Sequence, residues 1–136
     1  MSADTMRLYL HTSALVKLVV AEAESAALSA YLQRFAQDLL FTAALARTEL
    51  VRAVAEGGQP ALIEARALLD SIDTVTLSRG LLDDAGMLAP RQLRTLDAIH
   101  LAAAQRAGRS LRAVITYDAR MAQAATDLGM TTGSPA

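Results

Sequence analysis

The sequence contains no cysteine, so disulfide bridges, thiolate metal sites and a cysteine nucleophile are all excluded. It also lacks a long apolar run. The best candidate, residues 14–21, is far shorter than the roughly 20 residues that cross a bilayer, and it carries Lys17 in its middle. The N-terminus has no basic-then-apolar layout of a secretory signal. We therefore expect a protein that works in the cytoplasm without a membrane partner.

Aromatic residues are scarce, at 4% of the 136 residues, so aliphatic side chains and alanine must fill the interior. Lysine is nearly absent, since Lys17 is the only one and the remaining positive charge is arginine. The net charge of −1 argues against the broad basic surface that many nucleic-acid binders show. It does not exclude an RNA substrate, because bound metal ions can carry part of the contact to phosphate.

Short extended segments alternate with helical ones along the chain. Strands are predicted at residues 7–10, 39–42, 74–77 and 112–116, with an edge strand at 130–132. Helices are predicted at residues 12–20, 22–37, 43–56, 60–72, 81–88, 93–107 and 119–128. This alternation predicts an α/β fold with a parallel sheet covered on both faces. Since no repeat or linker is evident, we expect a single domain over residues 1–136.

In folds of this class the functional site lies at the carboxyl ends of the strands, and Asp97 heads the most informative segment near it. On a helix, Asp97 shares a stripe with Leu101, Ala104 and Gly108, which faces the body of the protein. Burying a carboxylate without a partner is costly. Asp97 should therefore meet a metal, a hydrogen-bond donor or a cation, and a structural ion pair or a local cap is the alternative.

Two further acids are candidates for the same site. Glu49 falls between Leu45 and Ala53 at the edge of a helical apolar arc, and its alternative is a solvent-exposed residue paired with Arg52. Asp118 follows a predicted strand where a helix begins, so its alternative is a helix N-cap.

A hydroxyl and two histidines accompany these acids. Thr116 points to the same side of an extended chain as Asp118 and could hydrogen-bond a metal-bound water. His11 stands at the carboxyl end of the first strand, although a lone histidine is more often structural than a ligand. His100 follows Asp97 by three residues, and we expect it to pack or to support the site rather than to ligate.

Taken together, the three carboxylates indicate a binding site for a cation. Convergent carboxylates repel one another, so a cluster in one cleft is stable mainly when a divalent cation lies among them. Hard oxygen ligands select Mg²⁺ or Mn²⁺. Such a site can lower the pKa of a bound water and stabilise the charge on a phosphate under attack.

Four segments resemble the motifs of the PIN-domain family, and specifically of its VapC toxin branch. They read Tyr-Leu-His-Thr-Ser-Ala-Leu-Val-Lys-Leu at 9–18, Thr-Glu-Leu-Val-Arg-Ala at 48–53, Leu-Asp-Ala-Ile-His-Leu-Ala at 96–102 and Thr-Tyr-Asp-Ala-Arg-Met-Ala at 116–122. Their order and spacing agree with the family through most of the chain, and the third is the most specific. The resemblance implies a three-layer α/β/α sandwich around a parallel sheet of four to five strands.

The same resemblance implies a Mg²⁺- or Mn²⁺-dependent endoribonuclease, a toxin that a cognate antitoxin inhibits, and a homodimer. Glu49, Asp97 and Asp118 would be metal ligands, Thr116 would hold a metal-bound water, and Thr12 or Ser13 would support the cleft. Water would attack the RNA phosphodiester in line. The antitoxin would bind an apolar groove, for which the Ala-rich segments 21–36 and 43–55 are candidates.

His11 departs from the family, because it stands where the first aspartate is expected. Imidazole suits Mg²⁺ poorly and transition metals better, so we expect weaker or displaced metal binding and impaired activity. Two explanations stay open. One is a deliberate Asp-to-His change that disarms a toxic enzyme so that it can be produced. The other is a natural variant with altered or lost activity.

Two other functions compete with the nuclease. One is a non-catalytic, antitoxin-binding component of a regulatory complex. The other is a phospho-acceptor receiver domain, which needs paired acids after the first strand and a lysine after the last. His11-Thr12 and Asp118-Ala119 stand at those places instead, which disfavours a receiver.

Overall fold

The computed structural model describes residues 5–136, so residues 1–4 of the predicted domain lie outside the described residues. The strands are β1 Arg7–Leu10, β2 Leu39–Ala43, β3 Asp73–Val75, β4 Leu111–Ile115 and β5 Thr132–Gly133. The helices are α1 Thr12–Val19, α2 Ser25–Arg34, α3 Ala46–Val54, α4 Gly58–Ser71, α5 Arg79–Gly86, α6 Thr95–Gln105 and α7 Ala119–Asp127. Every helix in the described part of the chain is too short or too polar to span a membrane.

All five strands run parallel in the order β3-β2-β1-β4-β5. The central strand β1 pairs with β2 on one side and β4 on the other, where Tyr9 lies opposite Phe41 and Val114. Leu8, Tyr9 and Leu10 are completely buried, as expected of a parallel strand covered on both faces. The predicted α/β class and the parallel sheet of four to five strands are confirmed.

Alternate side chains of β1 enter two separate hydrophobic clusters. Tyr9 packs with residues of α5, α6 and α7 on one face of the sheet. Leu8 and Leu10 pack with residues of α1, α2, α3 and α4 on the other face. Because successive side chains of a strand point to opposite faces, this division produces the predicted three-layer α/β/α sandwich.

Some predicted element boundaries were wrong. Ala43 ends β2 instead of beginning a helix, because it pairs with Val75 of β3 and is completely buried. Sheet pairing therefore overrides the helix preference of alanine at this position. The second helix is Ser25–Arg34, shorter than the predicted 22–37. The edge strand lies at Thr132–Gly133, where it pairs with β4.

An ion pair at the amino end of the sheet ties β4 to the start of β2 across β1. Arg112 donates from Nε to Asp38 Oδ2 and from Nη2 to Oδ1, the latter at 3.1 Å. The guanidinium carbon lies 4.4 Å from the ring centroid of Phe35. The Asp38 side chain is only 5% exposed, so this is a bidentate pair largely shielded from water.

We expect Asp38→Ala to lower the free energy of unfolding by about 2 kcal/mol, because Arg112 would lose its partner in a partly dry environment. Urea denaturation followed by circular dichroism measures the change. The matched control is Asp70→Ala, since the Asp70 side chain is 70% exposed in its pair with Arg47 and should contribute less than about 0.5 kcal/mol. Equal losses in the two variants would contradict the assignment.

Candidate active site

The predicted site residues come together at the carboxyl edge of the sheet. His11 directly follows β1 and is held beside the end of β4 by a backbone hydrogen bond from its N–H to the Ile115 carbonyl, 3.0 Å long. Helices α3 and α6 bring Glu49 and Asp97 to the same edge. One cleft of about 570 Å³ is lined by His11, Thr12, Ser13, Glu49, Arg94, Asp97 and Asp118, among others.

Arg94 lies between two of the three carboxylates. Its Nε donates to Asp97 Oδ2 at 3.1 Å, and its Nη2 lies 3.7 Å from Asp118 Oδ2. The Asp97 side chain is 13% exposed and that of Arg94 is 56% exposed. A single guanidinium thus offsets the repulsion between two acids. Asp97 was expected to meet a metal, a hydrogen-bond donor or a cation, and in the structure it meets the guanidinium of Arg94.

Asp118 also caps a helix. Its Oδ1 accepts hydrogen bonds from the backbone N–H groups of Arg120 at 2.9 Å and Met121 at 3.3 Å, at the start of α7. The predicted N-cap role is therefore present. It engages one carboxylate oxygen and leaves Oδ2 directed at Arg94, so capping and a role in the cleft are compatible.

Glu49 is held by two donors. Its Oε1 accepts from Thr12 Oγ1 and from His100 Nε2, both at 2.6 Å. Burial alone would raise the pKa of the Glu49 carboxyl, but these hydrogen bonds outweigh it and hold that pKa below its ordinary value. The predicted alternative, an exposed glutamate paired with Arg52, is wrong because Glu49 turns inward to these donors.

Tyr9 fixes the proton on His100. Burial raises the pKa of the Tyr9 phenol well above its ordinary value, and its oxygen accepts from the Ala43 N–H at 3.2 Å. Its own proton therefore goes to His100 Nδ1, 2.6 Å away. With Nδ1 as acceptor, the imidazole proton lies on Nε2 and points at Glu49. His100 is a positioning residue for Glu49, as the sequence suggested without identifying the partner.

Hydrogen bonds to two hydroxyl groups hold the His11 ring in place. Its Nδ1 lies 2.9 Å from both Ser13 Oγ and Thr116 Oγ1, which are 3.2 Å apart. These oxygens already accept the backbone N–H groups of Tyr117 and Asp118. Both hydroxyl protons find an acceptor within this group if one hydroxyl donates to Nδ1 and the other hydroxyl donates to the first. The imidazole proton then lies on Nε2.

The charge on His11 is suppressed. Burial, followed by the neighbouring His100, lowers the pKa of His11 from 6.5 to about 4, against opposing attraction from Glu49 and Asp118. Within residues 5–136, Nε2 makes no hydrogen bond, and the ring lines the cleft. The place expected for an aspartate therefore holds a neutral hydrogen-bond donor.

The carboxylates suit a divalent ion in chemistry, but the arrangement is not that of a preformed metal site. In the described part of the chain, no three His, Asp or Glu side chains lie close enough together to hold a metal ion. Asp97 and Asp118 nevertheless converge on one positive group, Arg94, and carboxylate oxygens are what Mg²⁺ and Mn²⁺ prefer. The pair fits such an ion, with Glu49 as the third acid of the cleft.

The remaining predicted residues support their neighbours. Thr12 orients Glu49, and Ser13 holds His11. Thr116 is completely buried, and its hydroxyl reaches His11, so holding a metal-bound water stays a prediction for it. Arg94 was not predicted as a site residue, although its place three residues before Asp97 was a usable signal. Nothing distinguished Tyr9 from an ordinary core aromatic.

The architecture is that of a PIN domain. The sequence profile of the family described as PIN domain matches residues 8–127. The structure also resembles the crystal structure of Mycobacterium tuberculosis VapC20, a toxin that cleaves the sarcin-ricin loop, with a TM-score of 0.73 and 15% sequence identity. That match covers 94% of this chain and 99% of VapC20, and at such low identity it supports the fold alone.

Relatives found by sequence identify the branch of the PIN-domain family. Ribonuclease VapC46 of Mycobacterium tuberculosis is 46% identical over 128 residues, covering 94% of this chain and 97% of the relative. Ribonuclease VapC47 of the same species is 42% identical over 131 residues, covering 94% and 96%. The chain therefore belongs to the VapC branch of the PIN-domain family, as its four motifs indicated.

In their neutral form both histidines should carry the proton on Nε2, because Nδ1 accepts a hydrogen bond in each. Long-range ¹H–¹⁵N correlation spectra of the chain distinguish the two tautomers, and the sequence has only two histidines to assign. A Tyr9→Phe variant should change the His100 signals and leave those of His11 in place. A protonated Nδ1 on His11 would contradict the hydrogen-bond assignment.

The lowered pKa of His11 should make folding sensitive to acid. The unfolded chain takes up this proton near pH 6.5 and the folded chain only near pH 4, so the unfolded state binds more protons between these values. Stability is therefore lost as the pH falls from 6.5 to 4, by about 3 kcal/mol from this group.

A His11→Asn variant provides the comparison, because every other titrating group is retained. Urea unfolding at pH 7 and pH 4 should show a loss in the parent chain that exceeds the loss in the variant by about 3 kcal/mol. Equal losses would mean that burial does not suppress the charge on His11.

Proposed function

We propose that this chain is a metal-dependent endoribonuclease, the toxin of a toxin–antitoxin pair, with activity impaired by His11. The observation that carries the proposal is the cleft at the carboxyl edge of the sheet, because Glu49, Asp97 and Asp118 all line it. Membership of the VapC branch supports RNA as the substrate, since the relatives at 41–46% identity are ribonucleases by name.

Each acid has a separate part in this proposal. Asp97 and Asp118 supply the negative charge that would hold a divalent ion, with Glu49 completing the set directly or through water. A bound Mg²⁺ or Mn²⁺ would supply an activated water and offset the charge of the phosphodiester. His100 and Thr12 keep Glu49 ionised and in one orientation, which limits the reorganisation needed during the reaction.

His11 explains the proposed impairment. An aspartate would add a negative charge and oxygen ligands to the cleft, whereas His11 presents a neutral Nε2–H. A donor cannot ligate a cation in that protonation state, and the charge that attracts the ion is smaller by one. The same Nε2–H can instead donate to a phosphate oxygen, so substrate binding need not be lost with metal affinity.

The family also suggests the domain extent, the cellular location, the oligomeric state and the partner of this chain, and these are part of the proposal. We propose one PIN domain over residues 1–136 that works in the cytoplasm, forms a homodimer and is inhibited by a cognate antitoxin. The second candidate function is an antitoxin-binding component without catalysis. His11 and Arg94 favour it, because together they place a neutral donor and a resident cation in the cleft.

RNA cleavage by the parent chain and by His11→Asp separates these possibilities. With Mn²⁺ or Mg²⁺, we expect His11→Asp to cleave at least about tenfold faster, equivalent to about 1.4 kcal/mol of barrier, because it restores a carboxylate. EDTA should abolish that cleavage, and adding Asp97→Asn should remove the gain. If both chains are equally inactive with every divalent ion tried, the impaired nuclease is wrong and the binding component is favoured.

A further inference from the structure

The positive group that lies between Asp97 and Asp118 is a side chain of the protein, the guanidinium of Arg94. Arg94 contacts Asp97 at 3.1 Å and lies 3.7 Å from Asp118, and these are the acids proposed to hold the divalent ion. A guanidinium and a metal ion cannot both lie between the same two carboxylates, because like charges at such a distance repel strongly.

We propose that Arg94 is a built-in counter-cation that competes with the divalent ion for Asp97 and Asp118, so that metal binding requires Arg94 to leave. This inference rests on the proposed metal-dependent function. It assigns Arg94 a regulatory part in metal loading that goes beyond the acids of the family's motifs.

The two acids need such a partner when no metal is bound. Asp97 is only 9% exposed, so its carboxylate cannot rely on water to offset its charge. Asp118 is tied to the start of α7 through Oδ1 and cannot turn away from Asp97 without losing that cap. Arg94 therefore stabilises an acidic pair that would otherwise repel.

The Arg94 side chain also has room to move away from the two acids. Its side chain is 56% exposed and directly precedes α6, so it can swing without unwinding a helix. It lines the acidic cleft and also an adjacent cleft of about 420 Å³, where Gln123 and Asp127 are among the lining residues. A displaced guanidinium would find polar partners in that second cleft.

Metal binding by Arg94→Gln tests the competition directly. Isothermal titration with Mn²⁺ is run on the full chain, both as it stands and with His11→Asp. We expect Arg94→Gln to tighten Mn²⁺ binding about tenfold in each background, or about 1.4 kcal/mol. Arg94→Lys should give an intermediate affinity, since an ammonium lacks the fork that reaches both acids.

Arg120→Gln is the matched control, because it removes the same charge two residues from Asp118. In the described residues Arg120 forms no side-chain ion pair with Asp97 or Asp118, so its loss should change Mn²⁺ affinity by less than about threefold. This comparison separates displacement of a resident cation from a general change in the charge of the cleft.

Thermal unfolding gives a second measurement that does not depend on cleavage. In EDTA, Arg94→Gln should melt below its parent, because the two carboxylates lose their counter-charge. Saturating Mn²⁺ should then raise its melting temperature by more than it raises that of the parent.

Unchanged or weaker Mn²⁺ binding by Arg94→Gln in both backgrounds would overturn the competition, as would an equal gain in Arg120→Gln. Mn²⁺ binding in none of the variants would overturn it together with metal dependence. Tighter binding by Arg94→Gln without RNA cleavage in any chain, including His11→Asp, would uphold the competition and reject the nuclease.

Discussion

Crowding of negative charge at the carboxyl edge of a parallel sheet is the constraint on which the site depends. Parallel strands end at one edge, so the residues that follow them, and the helix positions packed beside them, are forced together. Each acid there has partners: Glu49 accepts from His100 and Thr12, Asp118 accepts from backbone N–H groups, and Asp97 accepts from Arg94. The Arg94 guanidinium also lies 3.7 Å from Asp118. In our proposal these partners offset the repulsion between the acids that a bound metal ion would otherwise offset.

The buried Tyr9–His100–Glu49 chain connects this edge to the centre of the fold. Tyr9 lies in the middle of β1, and its hydroxyl meets His100 from α6, which in turn meets Glu49 from α3. One hydrogen-bond series therefore sets the orientation of a cleft carboxylate from inside the core. The Arg112–Asp38 pair lies at the opposite end of the sheet, so it stabilises the fold without touching the cleft.

His11 places a neutral hydrogen-bond donor in the cleft where the family resemblance leads us to expect an aspartate. Its Nδ1 is engaged by Ser13 and Thr116, and burial with His100 nearby keeps the ring neutral. The cleft thus combines a neutral donor, a guanidinium and three acids. In our proposal this balance weakens metal loading and leaves contacts for a phosphate.

Much of the protein follows from its sequence alone. The alternation of strand and helix signals determined the α/β class, because period and turn residues are local properties. Four short motifs determined the family and the candidate acids. The partners of those acids were decided only by tertiary structure. Tertiary packing brings His100 to Tyr9 and Glu49, and Arg94 to Asp118. The end of β2 at Ala43 depends on pairing with β3. Local sequence cannot specify such contacts, because hydrogen-bond partners and protonation are set by groups that lie as many as 105 residues apart.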